Sequence, residues 1–198
     1  MAMSERVARK LTEAEFFEWL VRQERRHELV DGQVFMMAGA DRRHDRIVVN
    51  VLATLHGQLR GKPCRANSAD TAIRIPRGNI RFPDVSVDCG QPDERSMMAA
   101  EPTVVIEVLS PSTRAFDRED KLEEYKTVES LRHIVLIDPD EPAARLYTRD
   151  GVAGWGTAPV EGLEAAIELP AVGAILTMAD VYDSVVFAPR PRLVLVEG

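Results

Sequence analysis

Between Thr103 and Leu109 the chain reads Thr-Val-Val-Ile-Glu-Val-Leu, a near-continuous β-branched and aliphatic run with one carboxylate inside it. Such a run fits a strand buried on both faces of a sheet. Glu107 is the anomaly, because an ionised carboxylate in a buried strand costs several kcal/mol unless it is paired, protonated or bound to a cation. Upstream, Pro83-Asp84 opens a shorter run, Asp84 to Asp88, whose alternation of apolar and polar residues predicts a strand covered on one face. A divalent metal shared by Asp84 and Glu107 would offset the burial, since Mg²⁺ takes hard oxygen ligands from one or two carboxylates.

The 198 residues fit one domain, 1–198, with a core at about 11–186 and terminal appendages at 1–10 and 189–198. A net charge of −7 argues against indiscriminate adhesion to nucleic acid or anionic membrane, yet it leaves room for a local basic groove. Cys64 and Cys89 have no zinc-type spacing and suggest no disulfide framework, so the expected location is reducing and cytoplasmic. No apolar signal region opens the chain and no run reaches membrane-spanning length, so no membrane partner is expected.

In chain order, Thr12 and Glu15 have capping-box spacing ahead of Phe16, Phe17, Leu20 and Val21, which predicts a first helix ending near Arg25. Two short strands flank Asp31-Gly32, a strong hairpin signal that places Glu28 beside a tight turn. Ile47, Val48, Val51, Leu52, Leu55 and Leu59 line one face of a long helix from Asp41 to Leu59. Cys64 to Ile75 reads as a strand containing Asp70. After Glu107 a polar loop, Ser110-Pro111-Ser112-Thr113, leads to a helix from Asp117 to Val128, on which Asp117, Lys121 and Tyr125 share one flank. Ile134 to Ile137 is another buried strand, Arg145 to Thr148 pairs with Val152 to Gly156, and Met178 to Val185 forms a last helix. The sum is an α/β chain, α+β by looser counting, with a central mixed β-sheet flanked by helices.

Glu28 in His-Glu-Leu-Val-Asp-Gly, His44 at the following helix, Pro83-Asp84, Glu107 through Thr113, the series Asp117, Lys121, Tyr125, and Asp138-Pro139 together resemble the bacterial putative restriction endonuclease family of the PD-(D/E)XK nuclease superfamily. The resemblance covers about Leu11 to Val186. It implies a restriction-endonuclease-like core in which Asp84, Glu107 and the backbone carbonyl of Val108 hold Mg²⁺ or Mn²⁺. One position departs from the superfamily pattern: Leu109 stands where a lysine is usual. In this family the amine is thought to come from the following helix, where Lys121 stands.

Each residue also has a plainer reading. Asp84 after Pro83 could close a turn. Glu28 fits an outer or second-metal ligand, or a cross-strand partner of an arginine. Lys121 could pair only with Asp117, and His44 fits an ordinary helix-start or surface histidine. Asp70 either approaches the metal or pairs with Arg74. The groups Arg42, Arg43, Arg46 and Arg74, Arg77, Arg81 are phosphate contacts or a solvated face.

The function expected is metal-dependent hydrolysis of a phosphodiester bond in DNA, with Asp84, Glu107 and Lys121 catalytic; a two-fold homodimer would suit cleavage of both strands. The rivals are a catalytically inactive interaction module that keeps the fold and a metal-dependent hydrolase of another phosphate ester. Removing the Lys121 amine as Lys121→Met is expected to leave metal affinity and melting temperature nearly unchanged.

Overall fold

The computed structural model describes residues 10–37, 39, 41–93, 95–109, 117–151 and 154–187, without the side chains of Asp117 and Arg118. The expected loop 110–113, the Asp117 flank position, the start of the strand at Val152, and the appendages 1–9 and 189–198 lie outside these residues.

The buried run forms β7 (Pro102–Val108), at the centre of a six-stranded sheet ordered β10-β9-β8-β7-β6-β3. The others are β3 (Arg65–Ser68), β6 (Val85–Asp88), β8 (His133–Asp138), β9 (Ala143–Asp150) and β10 (Gly154–Glu161). β7 and β8 run parallel, and the remaining neighbours are antiparallel. Both faces are covered. Val85, Val87, Val104, Ile106 and Val108 pack under the long helix α2 (Arg42–Leu59), the hairpin β11 (Ala166–Leu169) with β12 (Ala174–Thr177), and the short α4 (Met178–Val181). On the opposite face Val105, Leu109, Ile134 and Leu136 meet Leu122 and Tyr125 of α3 (Leu122–Lys126). Asp84 to Asp88 was expected to be covered on one face only, but β6 is buried throughout: Val85 and Val87 lie under α2, and on the other face the Asp88 carboxylate accepts the amides of Gly90, Ala100 and Glu101.

A second sheet, ordered β2-β1-β5-β4, holds β1 (His27–Val30), β2 (Gln33–Met36), β4 (Ile73–Arg74) and β5 (Ile80–Arg81). Helix α1 (Glu13–Leu20) closes it, packing Phe16 and Leu20 onto Leu29 and Ile80. The Thr12–Glu15 capping box forms as its spacing predicts. The helix stops at Leu20 and not near Arg25, because Arg22 and Gln23 turn back and donate to the carbonyls of Glu18 and Trp19. Asp31 and Gly32, both at positive φ, turn β1 into β2. Asp70 lies in a turn after β3, where Thr71 N–H bonds back to Ser68, so the expected single strand is broken in two. α2 begins one residue after Asp41, whose carboxylate accepts the amides of Arg43 and His44. The helix expected from Asp117 starts as a π-helical turn, Asp117–Lys121, and becomes α-helical only at Leu122.

Two findings bear on environment. Cys64 and Cys89 are joined in a disulfide, contrary to expectation, because β3 and β6 pair with Arg65 opposite Asp88 and so bring the flanking residues together. The cysteines therefore give no ground for a reducing location. No helix among the described residues is long and apolar enough to cross a membrane.

Reduction of that bond, or Cys64→Ser, should lower unfolding stability by up to about 3 kcal/mol in chemical denaturation, the usual scale for a loop of this length. His133 supplies a second check. Its Nδ1 bonds Thr148 Oγ1, its Nε2 accepts the Ala171 amide, and burial pushes its pKa down. The unfolded chain then takes up the proton first, so this contribution is present above about pH 6.5 and is lost as pH falls toward the lower folded value. His133→Gln should flatten the fall in melting temperature between about pH 7 and pH 5.

Candidate active site

Sheet pairing brings the two carboxylates together. Val85 lies opposite Ile106, and continuing this antiparallel register by one residue sets Asp84 opposite Glu107 on one face. Asp84 Oδ2 accepts the Val108 amide at 2.8 Å. The same oxygen lies 3.1 Å from His44 Nε2, delivered by the first turn of α2. Burial would push the His44 imidazole down, but hydrogen bonding and charge from Asp84, with smaller help from Glu107 and Asp41, raise its pKa above the ordinary value.

Glu107, 5% exposed, has its compensation in view. The Tyr125 hydroxyl donates to Glu107 Oε1 at 2.8 Å, and Lys121 Nζ lies 3.5 Å from the same oxygen. Burial, followed by the charges of Glu107 and Glu28, pushes the Tyr125 phenol well above its usual pKa, which keeps it a donor. Lys121 also lies 3.2 Å from Glu28 Oε1. The π-helical turn ends at Lys121, so Lys121 and Tyr125, one α-turn apart, both reach the β7 carboxylate.

Glu28 is held from the second sheet. Its Oε1 accepts the Phe82 amide at 3.1 Å, and its Oε2 takes Arg81 Nη1 at 2.9 Å. Arg81, 1% exposed, spans to Glu124 Oε2 at 2.6 Å. Burial works against the Arg81 charge, but Glu124 and Glu28 overcome it and raise its pKa. Asn79 ties the group to the hairpin, donating to Glu124 and accepting the Asp31 amide.

The expected residues Glu107, Lys121 and Glu28 are thus in contact, and Asp84 joins them through the Val108 amide of the Glu107 strand. Asp70 belongs to neither expected role: it is exposed and pairs with Arg26, while Arg74 pairs with Glu13. Of the two arginine groups, Arg81 is buried in the network and Arg43 pairs with Asp140, whereas Arg42, Arg46 and Arg77 are exposed. Arg81, Tyr125 and Glu124 were not expected as site residues. Tyr125 was visible only as part of an apolar stripe, and Arg81 only as one of three arginines preceding Pro83.

Among the described residues no group of three or more His, Cys, Asp or Glu side chains is arranged to hold a metal ion. Asp84 and Glu107 together supply two hard-oxygen donors, a set that suits Mg²⁺, which ordinarily completes its shell with water and substrate phosphate. A cleft of about 510 Å³ is lined by Arg81 and Glu124 on the side of the Asp31 turn, together with Arg77, Asp120 and Glu123. Its mainly acidic rim disfavours a polyanion on that side.

Two uncharacterized proteins of Synechocystis sp. are similar: one is 31% identical over 90% of this chain and 94% of its own length, the other 28% identical over 80% and 92%. The crystal structure of a putative nuclease belonging to DUF820 from Anabaena variabilis superposes with a TM-score of 0.73 at 20% identity, covering 89% of this chain and 99% of that one. It shows the same restriction-endonuclease-like fold. The sequence profile of the Uma2 family, described as a putative restriction endonuclease, matches residues 13–179, and the chain accordingly belongs to that family.

Proposed function

We propose that the protein is a metal-dependent endonuclease that hydrolyses phosphodiester bonds in DNA, with Mg²⁺ or Mn²⁺ as cofactor. The observation that carries this reading is the convergence of Lys121 on Glu107 and Glu28 from a helix remote in sequence, beside Asp84 on the neighbouring strand. A lysine serving only to pair with Asp117 would have no need to be buried between two carboxylates of other elements. The same contact argues against an inactive module, because Leu109 leaves no amine on β7 and Lys121 supplies one at the same carboxylate.

In this reading Asp84, Glu107 and the Val108 carbonyl hold the cation. When bound, it provides charge stabilisation at the scissile phosphate and an activated water. Lys121 carries a fixed positive charge to stabilise the negative charge that develops on the phosphate, or to orient the attacking water. Glu28 anchors that ammonium, with both oxygens already engaged by Arg81, Phe82 and Lys121, a role that fits its contacts better than an outer or second-metal ligand. Tyr125 and His44 orient Glu107 and Asp84. DNA as substrate places the work in the cytoplasm, and a homodimer would allow both strands to be cut.

Glu107→Gln keeps the Tyr125 hydrogen bond but removes the ligand charge. Titration calorimetry should detect Mg²⁺ binding to the parent and none to this variant, and the rise in melting temperature on adding Mg²⁺ should vanish with it. Undiminished binding in the variant would place the cation elsewhere.

Lys121→Met should reduce kcat for plasmid cleavage on the order of 10²-fold or more. The expectation that its stability would be unchanged is revised by the geometry, because the substitution leaves Glu28 and Glu107 without the ammonium between them. Metal-free melting temperature should therefore fall, and Mg²⁺ should recover part of the loss. A variant that melts like the parent and cuts at its rate would remove Lys121 from the site.

A further inference from the structure

The sheet face that carries Glu107 continues outward across β8, β9 and β10. Register sets Glu107 opposite Leu136, Leu136 opposite Arg145, and Arg145 opposite Pro159. Cross-strand partners share a face, so Arg145, Tyr147 and Arg149 stand with Trp155 and Thr157 on the side of Lys121 and Tyr125. Packing agrees with this: Tyr147 and Trp155 lie against the cluster of Leu122 and Tyr125, whereas Ala144, Leu146 and Val160 lie against the α2 cluster. Arg145, Thr157 and Pro159 are exposed, and Tyr147, Arg149 and Trp155 are half-buried.

Cations gather on this outer part of the face. Lys126 Nζ lies 5.2 Å from the centre of the Tyr147 ring, and the Arg149 guanidinium 4.5 Å from that of Trp155. The Arg149 amide donates to the Arg132 carbonyl, and continuing the β8–β9 register one residue past His133 and Thr148 sets Arg132 directly opposite Arg149. Like charges in that position are unfavourable. Both guanidinium groups are nonetheless pinned there, Arg149 by the carbonyls of Lys126, Val128 and Leu131, and Arg132 by those of Glu129 and Leu131. Burial and the Arg132 charge push the Arg149 pKa down, and Glu129 opposes them only in part. Among the described residues Arg132, Arg145 and Arg149 form no ion pair. The acids along the strip are Glu123, held by Lys126, and Glu129 and Glu161 at its two ends, while Asp138 and Glu141 at the Arg145 end have partners of their own.

We propose that Arg132, Arg145 and Arg149, with Lys126, form a phosphate-binding strip that holds the DNA backbone on one side of the cleaved bond. This rests on the nuclease reading and deepens it. A polyanion lying along β9 relieves the Arg132–Arg149 repulsion, and contacts of this kind position the duplex without reading its sequence. The step from Arg145 to Arg149 is about 14 Å, the rise of about four nucleotides along one strand of a duplex. Tyr147 and Trp155 support Lys126 and Arg149 from beneath and do not act as base-stacking faces. Another side of α3, with Asp120, Glu123 and Glu124, lines the acidic cleft, so the duplex reaches Glu107 from the side of β9.

The test measures fluorescence anisotropy of labelled duplex oligonucleotides of unrelated sequence over a series of salt concentrations, using the full chain with Ca²⁺ in place of Mg²⁺ to prevent cleavage. Arg145→Gln and Arg132→Gln should each weaken binding several-fold, equally for every sequence, and each should reduce the slope of log affinity against log salt by about 1. Arg145→Lys should keep the parent slope. Melting temperatures should stay near the parent's, and the exposed Arg145 side chain, which makes no hydrogen bond or ion pair among the described residues, keeps the test decisive if Arg132→Gln fails to fold. Arg77→Gln removes an exposed charge beside the acidic cleft and should change neither affinity nor slope. If Arg145→Gln binds with the parent's affinity and slope, the inference is overturned while the nuclease reading stands. An equal loss in Arg77→Gln overturns it too, because net charge alone would then account for the effect. If the parent binds no duplex, the nuclease reading falls and the inference with it.

Discussion

Burial of Glu107 at the C-terminal end of β7 is the constraint around which the other parts are arranged. Among the described residues the Lys121 ammonium, the Tyr125 hydroxyl and, one layer out, the Glu28–Arg81–Glu124 chain converge on it and offset the burial of its charge. Breaking one partner of such a network leaves an uncompensated buried charge, which costs more than the network contributes as a whole. Pairs of this kind are poor sources of stability compared with apolar packing.

The same constraint explains why two sheets are joined here. Glu28 and Arg81 belong to the smaller sheet and Glu107 to the larger, and Lys121 bridges them from the helix that packs between. Apolar contacts of Ile73 and Ile75 with Val105, Leu122 and Tyr125 hold this junction in place, so the polar cluster sits inside a shell of packed side chains. On the other side of the large sheet α2 packs its buried stripe onto Val85 and Ile106 while its first turn delivers His44 to Asp84. Each charged group is thereby oriented by a rigid element, the condition for electrostatic preorganisation.

How much of this was legible varies residue by residue. Glu107 announced itself because a charge within a β-branched run conflicts with its surroundings, and such conflict is readable without coordinates. Asp84 and Lys121 were legible only together with a family resemblance, since a Pro-Asp step and a helical lysine are each commonplace. Arg81 and Tyr125 were illegible as site residues: an arginine two residues before a proline reads as surface, and a tyrosine in an apolar stripe reads as core. The disulfide was missed because spacing of 25 residues says nothing about pairing until β3 is known to lie beside β6.

By itself the sequence determined the local elements and their faces: the capped first helix, the Asp31-Gly32 hairpin, the stripe of α2, and β7 as a doubly buried strand. These follow from periodicity and capping, which act between residues close in the chain. Only the tertiary structure decided which charges neutralise which. Strand order and register put Glu28 and Glu107, from two different sheets, within reach of Lys121. A buried ion pair depends on distance and desolvation across elements far apart in sequence, and neither quantity exists until the sheets are assembled.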